Sequence, residues 1–329
     1  MSARPSIAVS LFGIPVGVLG LAGAWNVGAR IWNLPAIVGA GIAIFGGLTW
    51  LALLLLYAHK WYRHPADALK EFRDPVQSSF VALTLISTML AAGQLVQVAH
   101  SAGMAVFGVS VVVQFMLGVW LVGRMWQGGQ GSDFATPALY LPTVGQSFVA
   151  ANGAALLGWP QIGAVLFGCG VLSWLATESV VLARAATRES IPVALRPALG
   201  VQLAPPVVGG LAYLSLTTGT PDLAAHMLFG YGLYQAGLLL RLSAWIRQSS
   251  FSAGYWSFSF GVTALPTMAM RMVERGDSGP MSWAAPILFI AANFVIAYLA
   301  ACSLRLLVQG RLLHAPAPAV DAAVVSPRP

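Results

Sequence analysis

The sequence predicts an all-α integral membrane protein of ten transmembrane helices, and three observations support this fold class. The chain of 329 residues is 58% hydrophobic and only 8% charged, whereas a soluble domain carries about 25% charged residues. Apolar runs of about 20 residues, enough to cross about 30 Å of hydrocarbon as a helix, recur along its length. A phenylalanine marker divides these runs into similar pairs. Backbone groups in lipid must be satisfied within the segment, so the runs are expected to be helices.

The apolar runs set the predicted boundaries of the spans, which are 7–29, 36–59, 77–98, 102–123, 138–157, 160–183, 197–217, 222–246, 251–272 and 282–307. The first run follows Arg4 and contains a small-residue pattern typical of a signal-peptide cleavage site. We interpret it as a span, because it is long for a signal peptide and resembles the later runs. Residues 1–314 are therefore predicted to form one ten-helix transmembrane domain. The Ala- and Pro-rich residues 315–329 are predicted to be a disordered cytoplasmic tail.

The even-numbered spans carry an internal repeat. They contain the segments AIFGG, AVFGV, VLFGC, MLFGY and ILFIA, whose phenylalanines are Phe45, Phe107, Phe167, Phe229 and Phe289. These residues recur every 60 or 62 positions, which is the length of two membrane helices with their connections. The period predicts five helical hairpins.

The odd-numbered spans, except the third, share a proline placed within the predicted helix: Pro15, Pro142, Pro205 with Pro206, and Pro266. Proline removes a helical hydrogen bond, and membrane helices tolerate this where neighbouring helices or a water-filled cavity satisfy the freed groups. We therefore predict an inner ring of five kinked odd helices around a central pore and an outer ring of five even helices. Gly13, Gly17 and Gly20 of the first span either allow close helix packing or keep the pore wide.

Charged residues predict the orientation of the chain. With ten spans, all basic residues except Arg30, Arg271 and Arg275 lie on the side of the two termini. By the positive-inside rule both termini are expected in the cytoplasm. The loop from His59 to Pro75 mixes both signs and is interpreted as a solvated or interfacial connection.

The polar residues of the sequence argue against an enzyme, a metal site or a cofactor. The hydroxyl residues of spans three, five and nine have no His or carboxylate at matching depth, and are interpreted as bonding the backbone or lining the pore: Ser87, Thr88, Thr143, Ser147, Thr263 and Thr267. The histidines and the two cysteines, Cys169 and Cys302, have no ligand-like spacing. Glu178 is the most deeply placed acid, interpreted either as a proton relay or as a hydrogen-bonded structural carboxylate. No nucleic-acid partner is expected.

Two segments carry a resemblance to a known family. LFGIPVGVLGLAGAW, Leu11 to Trp25, and YWSFSFGVTALP, Tyr255 to Pro266, resemble the family of the bacterial tellurite-resistance protein TehA and the plant guard-cell slow anion channels. The resemblance covers essentially all ten spans. It implies a homotrimer in a bacterial inner membrane, each protomer having its own pore of five kinked inner helices. It also implies that Phe260 of the ninth helix blocks that pore and that Gly13 faces it.

These observations lead to a functional hypothesis and its alternatives. Phe260 lies four residues from Trp256 and shares a helix face with it, whereas Phe258 lies about 200° round from Trp256, so Phe260 can face a pore while Phe258 packs outward. Gly261 and Pro266 leave the local backbone free to hold the ring across the axis. The leading hypothesis is a channel or channel-like uniporter for small inorganic or organic anions. The alternatives are a C4-dicarboxylate, tellurite or sulfite carrier, possibly proton-coupled, and a membrane enzyme or quinone-binding subunit.

Overall fold

A computed structural model describes residues 7–74, 76–128 and 135–313. Over these ranges the chain forms helices joined by turns, with no strand. The predicted all-α fold class is therefore confirmed. The predicted tail, 315–329, lies outside the described residues.

Eleven α-helices are present in the described ranges: α1 Gly13–Trp32, α2 Ala36–Arg63, α3 Pro65–Arg73, α4 Gln77–Leu95, α5 His100–Trp126, α6 Gln146–Leu156, α7 Pro160–Thr187, α8 Ala204–Leu216, α9 Leu223–Ile246, α10 Ser259–Glu274 and α11 Met281–Val308. Shorter turns precede four of them. These are 3-10 turns at Val9–Phe12, Pro137–Tyr140, Val193–Leu203 and Ala253–Phe258, and a π turn at Leu141–Gly145.

Eight described segments are long and apolar enough to cross a membrane: Val9–Trp32, α2, α4, α5, α7, Val193–Leu216, α9 and α11. They coincide with eight of the ten predicted spans. The other two predicted spans, 138–157 and 251–272, begin in 3-10 or π turns. Their α-helical parts, α6 and α10, have 11 and 16 residues. Both are shorter than the roughly 20 residues that a straight membrane helix needs.

Burial separates the helices into two groups. The most apolar stretches of the segments that contain α1, α4 and α8 are 67 to 72% buried, whereas those of α2, α5, α7, α9 and α11 are 17 to 33% buried. The second group exposes large apolar side chains, among them Ile37, Val109, Leu172, Leu240 and Phe294. Contiguous apolar surface of this extent is typical of a membrane-facing exterior.

The buried helices form a closed ring. Helix α1 contacts α4, α4 contacts α6, α6 contacts α8, α8 contacts α10, and α10 returns to α1. Each of them also packs against the helix that follows it in the chain, so that α2, α5, α7, α9 and α11 surround the ring.

Turn residues at the ends of helices explain several boundaries. Asn33 adopts a left-handed conformation (φ 54°) and ends α1, as is common at helix C-termini. Gly158 (φ 89°) separates α6 from α7, which begins at Pro160. Asp222 caps α9 by accepting a hydrogen bond from the Ala225 N–H, 3.1 Å away. Hydrogen bonds from the Tyr213 hydroxyl and from that N–H hold the pKa of Asp222 below its usual value.

Most of the predicted prolines lie where the chain changes from one helix type to another. Pro15 and the pair Pro205 and Pro206 occupy the first turn of an α-helix, and Pro142 lies in the π turn before α6. A first turn tolerates proline, because its N–H has no partner within the helix in any case. Pro266 differs, since it lies inside α10. The third span, which has no such proline, is the one whose helix, α4, has no 3-10 or π segment directly before it.

The segment interpreted as a solvated or interfacial connection, His59 to Pro75, is mostly exposed over its described residues 59–74, but it contains a buried ion pair. It contains helix α3, and Lys60 donates hydrogen bonds to the Glu71 carboxylate and to the Ile7 carbonyl, each 2.8 Å long. Both side chains of the Lys60–Glu71 ion pair are less than 10% exposed. Charge pattern alone could not reveal this pairing, which depends on the N-terminal segment folding onto α3.

The five marker phenylalanines do not share one environment. Phe107, Phe229 and Phe289 are buried, whereas Phe45 is 59% exposed. The marker phenylalanines therefore recur at a regular spacing in the outer helices, but they do not occupy equivalent packing positions.

Candidate pore

Three cavities follow one another, the first at one end of the ring and the other two within it. The near chamber, about 420 Å³, is bounded by Ser10, Gln77 and residues 249–254. The middle cavity, about 30 Å³, is bounded by Gly13, Ile86, Tyr140 and Pro205 among others, and shares Ser10 with the near chamber. The far chamber, about 520 Å³, is lined by side chains of all five ring helices. Along the first helical segment the lining passes from Ser10 through Gly13 to Gly23, so the cavities lie in sequence along the ring axis.

Phe260 is shared by the linings of the middle cavity and the far chamber. It lines both, and among the described residues no other side chain does so. The Phe260 side chain is half-buried. It lies beside Gly20 of α1, since a Cβ built on Gly20 would be 3.5 Å from the Phe260 ring. Phe260 therefore lies where the two cavities adjoin.

Of the neighbouring aromatic residues, Trp256 lines the middle cavity and Phe258 packs away from the cavities, but not by the predicted geometry. Residues Ala253–Phe258 form a 3-10 turn, and α10 begins only at Ser259. The angle of 100° per residue therefore does not apply between Trp256 and Phe260. The Trp256 indole N–H donates to the Ser303 hydroxyl of α11, 2.8 Å away. Phe258 packs against Gly200 and stacks on Tyr255, and it lines none of the three cavities.

Of the other predicted pore or kink residues, Gly13 and Pro205 line the middle cavity and Thr263 lines the far chamber. The remaining candidates lie outside the three linings: Pro15, Gly17, Thr88, Pro142, Thr143, Pro206, Gly261 and Pro266. Thr88 instead accepts a hydrogen bond from Trp50 of the outer helix α2 (3.0 Å) and donates to the Thr84 carbonyl. Gly261 packs against Leu203, 2.7 Å from its ideal Cβ position.

The glycines of α1 allow it to approach α10 closely. A Cβ on Gly13 would lie 2.9 Å from Trp256 Cβ, one on Gly17 2.3 Å from Ser259 Cβ, and one on Gly20 2.5 Å from Thr263 Oγ1. Contacts this short leave no room for a side chain. Both alternatives of the sequence analysis are therefore realised, because Gly13 and Gly20 also line cavities while Gly17 serves packing alone.

We expect Gly17→Ala to destabilise the protein by about 1–3 kcal/mol, since overpacking at a tight contact has this cost. The matched control is Gly23→Ala in the same helix. Gly23 lines the far chamber, and a Cβ there would meet no atom within 4 Å. Alanine at position 23 should be neutral or slightly stabilising. Thermal unfolding of the purified variants measures both effects, and equal stability of the two would contradict the packing role of Gly17.

The sequence analysis missed part of the far-chamber lining. Arg271, Asn152 and Gln94 all face this chamber. A signal for Arg271 was present, because it follows Phe260 by 11 residues, about three helical turns, and thus lies on the same face of α10. Thr267, about two turns after Phe260, lies on that face too and also lines the chamber.

Glu178 is the centre of a hydrogen-bond network behind the middle cavity. Its Oε2 accepts from the Tyr140 hydroxyl (2.6 Å) and the Trp174 indole (2.9 Å), and its Oε1 accepts from the Tyr231 hydroxyl (2.8 Å). Gln235 donates to the same Tyr231 oxygen. The network joins α7 and α9 to Tyr140, which lines the middle cavity. Glu178 thus has the contacts expected of a structural carboxylate.

The charges around the path are mostly basic. Arg30 and Arg271 line the far chamber and Arg311 lines the near chamber. Among the described residues that line the three cavities, none is Asp or Glu. The described residues also contain no cluster of three or more potential metal ligands.

Apolar outer helices around an axial series of cavities define a multi-pass helical membrane protein. Comparison with known proteins then identifies its family. The profile of the family described as "SLAC1: Voltage-dependent anion channel" matches residues 6–304. The chain belongs to this family of membrane anion channels and transporters, which confirms the resemblance found in the sequence.

Individual relatives agree with the family match. The chain is 31% identical over 301 residues to the tellurite resistance protein TehA homolog of Haemophilus influenzae, covering 91% of this chain and 90% of the relative. It is 24% identical over 303 residues to the S-type anion channel SLAH4 of Arabidopsis thaliana, covering 90% and 82%. It is 22% identical over 321 residues to the guard cell S-type anion channel SLAC1 of the same plant, covering 93% and 55%.

Proposed function

We propose that this chain forms a passive pore for small anions and that Phe260 is its gate. The position of Phe260 between the middle cavity and the far chamber carries this proposal. Removal of the Phe260 phenyl ring would join two cavities that already lie in sequence along the axis of the helix ring. The polar side chains near the gate would not need to move.

Selectivity for anions follows from the charges of the lining. Carboxylate rings are a usual basis of cation selectivity, and the described lining residues include no carboxylate. Arg271 at one end and Arg311 at the other favour anions near both mouths. The Thr263 hydroxyl proton is directed to the Ser259 and Phe260 carbonyls, 3.0 and 3.1 Å away, so this hydroxyl is not an anion donor.

We further propose ten membrane crossings as five hairpins, with both termini in the cytoplasm of a bacterial cell and the chain in the inner membrane. The closed ring of contacts and the concentration of basic residues on one side support this arrangement. The resemblance to the family also motivates a homotrimer with one pore per protomer. Chemical cross-linking in membranes that gives monomer alone would contradict the trimer.

The proposed selectivity is tested by recording currents from the purified protein in planar bilayers under a potassium chloride gradient. We expect a reversal potential near the chloride equilibrium potential, because the lining carries positive and no negative side chains. A reversal potential near that of potassium would overturn the proposal. Saturable uptake that requires a pH gradient would instead favour a coupled carrier of dicarboxylates or of an oxyanion such as tellurite or sulfite.

A further inference from the structure

An arginine of the far chamber has an unused hydrogen-bond donor. Arg271 Nη1 donates to the Ser215 hydroxyl, 2.8 Å away. Its Nε is buried and has no hydrogen-bond partner among the described residues. Buried donors are nearly always paired with protein, ordered water or a bound ion. The Nε is covered by protein atoms, whereas Nη2 is not among the buried atoms and has no hydrogen-bond partner among the described residues, so Nη2 is the donor open to the chamber.

The charge of Arg271 is not neutralised by the acid nearest to it in α10. The Glu274 carboxylate is bound by Arg30, with Nε to Oε1 at 2.6 Å and Nη2 to Oε2 at 3.3 Å. No Asp or Glu is among the described residues that line the far chamber. After the Arg30–Glu274 pair is formed, one guanidinium charge remains for an anion.

A second donor lies in the same chamber. The Asn152 Oδ1 accepts from the Ser215 hydroxyl, 2.6 Å away, which leaves the Nδ2 of Asn152 to donate elsewhere. Ser215 thus joins Arg271 to Asn152. The two chamber threonines cannot act as donors, because the hydroxyl protons of Thr263 and Thr267 are directed to backbone carbonyls, the latter at 2.6 Å from the Thr263 carbonyl.

We propose that Arg271, through Nη2, and Asn152 Nδ2 bind one small anion, such as chloride or nitrate, in the far chamber. The inference rests on the proposed anion pore and adds a binding site to it. Arg271 follows Phe260 by about three turns of α10, roughly 16 Å along the helix axis. The site therefore holds the anion in the same chamber that Phe260 closes, but away from the ring.

Two measurements test the site, and the first does not depend on permeation. Thermal unfolding of the detergent-purified chain is followed while sodium chloride replaces sodium gluconate at constant ionic strength. A ligand that binds the folded state raises the unfolding temperature. We expect chloride to raise it in the parent chain and in the control Arg241→Gln, whose side chain is exposed on the outer helix α9. Arg271→Gln should remove the chloride effect.

The second measurement is the chloride concentration that gives half-maximal current in the Phe260→Ala background. Loss of a charge-assisted hydrogen bond should raise this concentration roughly tenfold in Arg271→Gln. Arg271→Lys keeps the charge but lacks the Nη2 donor and should fall between the two. Asn152→Ala should raise it less than Arg271→Gln and provides a folded variant if Arg271→Gln fails to fold.

The inference is overturned if Arg271→Gln, or Asn152→Ala in its place, leaves both the chloride-dependent stabilisation and the half-maximal concentration unchanged. The proposed pore would still stand if Phe260→Ala conducts anions in that case. Conversely, a quiet Phe260→Ala channel would contradict the proposed gate, while the unfolding experiment would still decide whether chloride binds.

Discussion

Phe260→Ala is expected to raise anion flux on the order of 100-fold, which corresponds to about 2.7 kcal/mol of barrier at about 1.36 kcal/mol per tenfold. The reason is geometric, because Phe260 lines both the middle cavity and the far chamber and its ring lies beside Gly20. Alanine would remove the ring from the passage. Chloride or nitrate efflux from proteoliposomes, with matched amounts of folded protein, measures the effect.

Phe258→Ala is the matched control for this prediction. Phe258 is an aromatic residue of the same segment and is also partly buried, but it packs against Gly200 outside the three linings. We expect flux near the parent level. An ordinary core phenylalanine costs about 3–5 kcal/mol when it is replaced by alanine. If Phe260→Ala is merely less stable, with no gain in flux, Phe260 is a packing residue and the proposed gate is wrong.

The outer helices could be predicted closely from the sequence, and the physical reason is their environment. Helices such as α2 and α11 are exposed and apolar all round, so length and hydropathy determine their limits. Two of these helices begin at or directly after a proline, Pro160 and Pro35. The inner segments were less predictable. Their 3-10 and π turns depend on neighbours in the ring, and a pattern of apolar residues cannot report a hydrogen bond to residue i−3 or i−5 rather than i−4.

The candidate site divides in the same way. Phe260 could be found because the family resemblance and the Trp-Ser-Phe-Ser-Phe-Gly segment both pointed to it. The role of Gly17 could not, because a small residue facing a pore and one facing α10 look alike in sequence. The sequence analysis used Arg271 only to orient the chain, although its spacing from Phe260 placed it on the same helical face. Its unpartnered Nη2 became visible only when Ser215 and Glu274 had been located.

The role of Glu178 distinguishes the hypothesis of a passive pore from that of a proton-coupled carrier. As the deepest acid in the sequence it was a candidate proton relay, but its two oxygens accept three hydrogen bonds from Tyr140, Trp174 and Tyr231. Such a carboxylate holds three elements of the bundle together. If the chain is a passive pore, Glu178→Gln should change the stability of the protein more than it changes what drives transport.

Glu178→Ala is therefore expected to destabilise the protein by about 3 kcal/mol or more, because each buried donor left without an acceptor costs about 1–3 kcal/mol. Glu178→Gln should cost less, since its single oxygen can still accept from Tyr140 and Trp174, leaving only the Tyr231 hydroxyl to reorient. The exposed Glu189→Ala should have almost no effect. Thermal unfolding of the three purified variants gives this order directly. Anion flux through folded Glu178→Gln should remain independent of a pH gradient. If the parent chain instead shows uptake driven by a pH gradient, and Glu178→Gln abolishes that uptake, the structural role is contradicted and the coupled carrier is favoured.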